Sequence, residues 1–179
     1  RVLKIASQFQ NESVLEWDIM TTLAITTGMR KGELLNLVWT DIDFSEMVIN
    51  VSPKKNTNET WEWQIKDTDH RVLPLKEDVS RLLIGLQNRR PDGYPYVLVP
   101  PDRYDHIQRI LRPSGKWTLS SARNSVINNF TRQFKKILAL AHVEKGTFHD
   151  IRKTAITSWF GQDLSEYDVM TLAGHANFA

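Results

Sequence analysis

The spacing of apolar residues changes twice along this chain, and that change limits the fold more than any other feature. From Ser13 to Thr27, Leu15, Ile19 and Leu23 recur every fourth residue, with Met20 and Ala24 beside them. This is one apolar face of a helix, and Gly28 is placed to end it in a left-handed cap. A short helix over Gly32–Val38 follows, with Leu34, Leu35 and Val38 turned inward. The period then drops to two. Met47, Ile49 and Val51 alternate with Val48 and Asn50, and Trp61, Trp63 and Ile65 alternate with Glu62 and Gln64. The turn-rich stretch Pro53–Asn58 separates them. A third short strand over Arg71–Leu73 follows a polar loop at Lys66–His70.

Helical spacing returns after Pro74. Val79, Leu82, Leu83 and Leu86 form a face that stops before Arg89-Arg90-Pro91. Residues 91–119 hold five of the seven prolines and read as mostly irregular. A long helix is expected from a cap at Ser120 or Ser121 to about His142, its inner face being Val126, Phe130, Phe134, Ile137, Leu138 and Ala141. Two shorter helices are expected near His149–Phe160 and Leu164–Leu172. Helices, a small three-stranded antiparallel sheet, then helices again make an α+β, mainly helical fold. Its 179 residues, without repeat or linker composition, suit one domain over 1–179.

Composition excludes several classes. There is no cysteine, so neither a disulfide framework nor a thiolate metal site can form. Five histidines remain as soft ligands, and no HExxH-like pair appears among them. No apolar run is long enough to span a bilayer, and the first residues do not read as a signal peptide. Net charge is +2 and the pI is near 8.9, a weak pointer to an anionic partner.

Four segments can carry chemistry. Arg30 follows Gly28 and Met29 and opens a helix, where guanidinium and helix amides can meet an anion together. Glu33, one turn on, can orient it; a plain surface pair is the alternative. Lys66 lies in the strand-to-strand loop, where most lysines are simply solvated. His149 and Arg152 stand three apart and share a helix face, so one phosphate can touch both. A capping histidine beside a surface arginine has the same spacing. His175 follows Gly174, the end of a helix.

Taken together and in order, these segments resemble the catalytic segments of the tyrosine recombinase, or phage integrase, family. The stretches TGMRKGELLNLVWTDID and HDIRKTAITSWF are the specific parts, and the resemblance runs from about residue 14 to residue 179. It implies the family's catalytic-domain fold and a site-specific DNA recombinase or integrase. Such an enzyme breaks and rejoins DNA through a 3′-phosphotyrosyl intermediate, with double-stranded DNA as partner and no metal or ATP. It implies that Arg30 and Arg152 clamp the scissile phosphate, that Lys66 protonates the leaving 5′ oxygen, and that His149 assists proton transfer. His175 would hydrogen-bond the phosphate, with Glu33 in support. A topoisomerase-like variant, a catalytically silent DNA-binding regulator and an unrelated phosphate-binding helical protein are the competing readings.

The family's nucleophilic tyrosine is expected beyond His175, where the chain ends at Ala179. Tyr167 precedes His175 and is read as structural; Tyr94, Tyr96 and Tyr104 match no motif. The expectation is therefore a catalytic domain without its nucleophile, its N-terminal DNA-binding domain or its C-terminal tail, and inactive by itself. The parent would be tetrameric on DNA in the cytoplasm of a bacterium, or of phage or mobile-element origin; the fragment would be monomeric. Lys116, Arg123, Arg132, Lys135 and Lys136 are read as a solvated helix face rather than as DNA contacts.

Overall fold

The computed structural model describes residues 1–9, 15–65, 70–162 and 164–174. Helix α1 (Val2–Gln8) was not foreseen and packs on α2 (Trp17–Thr27). Helix α2 is buried on most sides rather than on one face, because α1, α3 (Lys31–Leu35), α4 (Glu77–Gln87) and α8 (Phe148–Phe160) all pack against it. Gly28 ends it at φ +61°, as its place predicts.

The sheet has three antiparallel strands in the order β1 (Ile42–Asp43), β2 (Val48–Val51), β3 (Arg71–Pro74). Its membership corrects the sequence reading. Trp61, Trp63 and Ile65 do alternate inward, yet the segment forms only a bridge, Lys54 to Trp63. Both edges of β2 are already taken, by β1 through Ile42 and Ile49 and by β3 through Ile49 and Leu73. Pro53 has no N–H with which to extend the ladder. Trp61 is held by side chains instead. Its ring stacks on Tyr96 at 4.0 Å, and its indole N–H donates to the buried Asn36 Oδ1 at 2.7 Å.

Other departures follow from local chemistry. Leu82 is 44% exposed while Val79, Leu83 and Leu86 are buried, so α4 has the narrower i, i+4, i+7 stripe. The proline-rich middle contains a helix, α5 (Pro101–His106), continued by a π-helical turn at Ile107–Leu111. Pro101 sits at its first turn, where proline fits. The long helix is broken into α6 (Leu119–Asn124) and α7 (Phe130–Leu140). Thr118, not Ser120 or Ser121, caps α6 by accepting from the Ser121 amide at 3.3 Å. Asn129 takes φ +57° in the break, a conformation asparagine tolerates better than most residues. The expected inner face is nonetheless buried throughout, from Val126 to Ala141. Helices α8 and α9 (Glu166–Ala173) lie where expected.

Trp17 of α2 joins Phe130 and Phe134 of α7 at 4.8 and 5.8 Å, and Phe148 of α8 closes on both phenylalanines at 5.1 and 5.3 Å. Offset and edge-on rings of this kind are favourable beyond their burial. They fix the start of α8 against α2 and α7, and so place His149 and Arg152.

Candidate phosphate-binding site

Three helix starts use one device. The third helical residue is a carboxylate that reaches back to the cap amide. Glu33 Oε2 accepts from Arg30 N at 2.7 Å, Asp41 Oδ2 from Val38 N at 3.0 Å, and Asp150 Oδ2 from Thr147 N at 2.7 Å. The first and third of these open α3 and α8, the helices that carry Arg30 and the His149–Arg152 pair.

Arg30, His149 and Arg152 line one cleft of about 310 Å³, with Met29, Lys31, Phe130, Phe134 and Lys135 around them. Residues from opposite ends of the chain thus converge. Arg152 is buried; its Nη1 donates to the Gly28 carbonyl and its Nη2 to the Ala173 carbonyl at 2.5 Å. Arg30 is partly open; its Nη1 meets Glu33 Oε1 at 3.1 Å and its Nη2 donates to the Gly174 carbonyl at 3.1 Å. The arginine pair is therefore braced on the ends of α2 and α9. His149 is exposed at the start of α8. Partial burial, then the charges of Arg152 and Lys153, hold its pKa below the ordinary histidine value, so it is neutral at pH 7. A neutral imidazole can accept a proton.

Glu33 is not a surface partner. It is 3% exposed and pairs with Arg71 as well as Arg30, at 2.6 Å to Oε2 and 3.0 Å to Oε1. Burial alone would raise its pKa; the Arg71 hydrogen bonds and charge, helped by the Arg30 amide and guanidinium, overcome that and leave it lowered. Arg71 was missed as a site residue. The signal was present: in the alternation Arg71, Leu73, Leu75 a charged residue occupies an inward position and needs a buried counter-charge. Lys135 is exposed, as read, and lies at the edge of the cleft, and Lys31 sits over the Phe130 ring at 5.4 Å. Lys66 and His175 lie outside the described residues.

The tyrosines have other duties. The Tyr94 hydroxyl donates to Val99 O at 2.6 Å, Tyr104 donates to Glu59 O at 2.8 Å, and Tyr96 accepts from Trp61 N at 3.1 Å. Tyr167 is 68% exposed on α9.

Residues 2–179 match the phage integrase family. A tyrosine recombinase XerC-like protein of Caldanaerobacter subterraneus subsp. tengcongensis is 29% identical over 174 residues, 88% of this chain and 42% of the relative. The fold is similar to the XerA recombinase (TM-score 0.64, 20% identity, 98% of this chain and 53% of that one). It is also similar to the catalytic domain of bacteriophage HP1 integrase (TM-score 0.61, 13% identity, 99% and 76%). A Tn1549 transposon integrase solved in complex with circular intermediate DNA scores 0.63, at 18% identity over 98% of this chain and 55% of that one. The chain thus spans about half the length of the first relatives it matches. With the family match over nearly its whole length and the arginine pair gathered at one cleft, the chain belongs to the phage integrase family of tyrosine recombinases.

Proposed function

We propose that this chain is the phosphate-activating part of a site-specific DNA recombinase, and that its cleft binds the scissile phosphodiester of double-stranded DNA. The convergence of Arg30, His149 and Arg152 on one cleft carries the reading. Two guanidiniums offer planar forks to the nonbridging oxygens and stabilise the charge that builds up in a five-coordinate transition state. His149, neutral at pH 7, takes the proton of the attacking hydroxyl. Lys66 protonates the leaving 5′ oxygen and His175 hydrogen-bonds the phosphate; both roles come from the family pattern. A tyrosine attacks phosphorus, a 3′-phosphotyrosyl link forms and the 5′ oxygen leaves; attack by a 5′-hydroxyl reverses the step. The DNA complexes solved for the Tn1549 integrase and for XerH with its difH substrate support DNA as the partner.

The test is a nicked duplex whose cleavage releases a short fragment, incubated with the complete gene product. A covalent protein–DNA adduct is expected, and Arg152→Ala should abolish it with the fold intact. Adduct formation unchanged in that variant would remove Arg152 from the site. Replacing Lys66 should slow cleavage less when the leaving oxygen is sulfur, which needs no proton; an unchanged defect would end the acid role.

A further inference from the structure

We infer that Arg71 is the positioning residue of this site, linking the end of α9 to Glu33 and through it to Arg30; the inference rests on the phosphate reading above. Three arginines meet three consecutive carbonyls where α9 ends. Arg71 Nε donates to Leu172 O at 3.0 Å, Arg152 Nη2 to Ala173 O at 2.5 Å, and Arg30 Nη2 to Gly174 O at 3.1 Å. A helix C-terminus is the negative end of its dipole, so cations belong there. Arg71 alone of the three also grips Glu33 with both terminal nitrogens, at 3.0 and 2.6 Å. Glu33 in turn holds Arg30 by its amide and its guanidinium, at 2.7 and 3.1 Å.

A Cβ at Gly174 would stand 2.9 Å from Arg71 Nη1, and Gly174 has φ +64°, so glycine favours the close approach of the α9 end to Arg71. Lysine cannot replace the arginine, because one ammonium cannot span a carboxylate edge and a separate carbonyl in a fixed plane. Among the described residues, the charged groups facing Glu33 are Arg71 from β3 and Arg30 from the start of α3. Removing Arg71 leaves burial opposed by Arg30 alone, and the carboxyl then protonates more readily. Arg30 loses both a firmly ionised partner and the fixed carbonyl of Gly174.

The experiment follows binding of a fluorescein-labelled duplex by anisotropy, with the Arg152→Ala variant as control. Arg71→Met should weaken binding about tenfold, the scale of one misdirected charge-assisted contact. It should add nothing when Arg30→Ala is already present. Equal losses in both backgrounds, or no loss, would overturn the proposal. Carboxyl 13C titration of Glu33 reads the linkage directly. Its midpoint should rise in Arg71→Met and stay raised in Arg71→Lys, and an unmoved midpoint would sink the idea. Should Arg71→Met not fold, the neutral pair Arg71→Met with Glu33→Gln leaves no lone buried charge. That pair should show the same loss of affinity, and full affinity in it would refute the positioning role. Binding indifferent to Arg152→Ala would instead fail the phosphate reading, while the Glu33 titration would still report on Arg71.

Discussion

Replacing Gly28 by alanine tests how the end of α2 shapes the candidate site. Gly28 has φ +61°, and a Cβ built there lies 2.6 Å from Cη2 of Trp159 on α8. The left-handed backbone costs an alanine about 1–2 kcal/mol. Pushing a half-buried indole aside adds about 1–3 kcal/mol, the usual range for overpacking. The sum is about 3 kcal/mol, which in a domain of this size lowers Tm by about 6–12 °C. Urea unfolding, with ΔG taken by linear extrapolation, measures it. The two contributions separate in a Trp159→Ala background, where only the backbone strain remains and Gly28→Ala should cost about 1–2 kcal/mol. A cost below about 0.5 kcal/mol in the parent chain, or equal costs in both backgrounds, would refute the close approach of α8 to this turn. Because the Gly28 carbonyl accepts from Arg152, DNA binding should weaken in the same variant.

Three further outcomes are expected. His149 should titrate below the ordinary histidine value, and Lys153→Met should raise its midpoint by removing a neighbouring cation, as NMR would show. Its folded pKa is lowered, so the unfolded chain binds more protons. His149 therefore lowers stability progressively as pH falls through about 6.5 toward the folded value, with no further loss once both states are protonated and the full penalty is in place. Asn36→Leu should cost about 3 kcal/mol in urea, since it strands the Trp61 indole N–H and the Ala122 carbonyl that Asn36 now satisfies at 2.7 and 3.0 Å. An unchanged midpoint would show that this contact does not stabilise the fold. Lys135→Ala should weaken association with any duplex and reduce the salt slope by about one, whereas an unchanged slope would return Lys135 to the solvated face.

Much of the candidate site was legible because its pieces are local. Arg30 is recognisable from the glycine before it and the carboxylate after it, and the His149–Arg152 pair from its one-turn spacing. Arg71 was harder. The strand alternation marks it as inward, but its counter-charge sits on another element, and nothing in the spacing says which. Lys135 is the reverse case: its helix shows an ordinary exposed lysine, and the fold sets it at the edge of the cleft.

By itself, the sequence determined the helix and strand periods, the local motifs that carry Arg30, His149 and Arg152, and the faces that form the core, since each depends on residues one or two turns apart. Tertiary structure alone decided that Ile42–Asp43 rather than Trp61–Ile65 completes the sheet, because a strand edge pairs once and β3 occupies the edge that segment would need. It decided that the long helix breaks at Asn129, and that three arginines meet the carbonyls of one helix end. Pairing and charge neutralisation select among partners distant in sequence, and apolar periodicity carries no information about that choice.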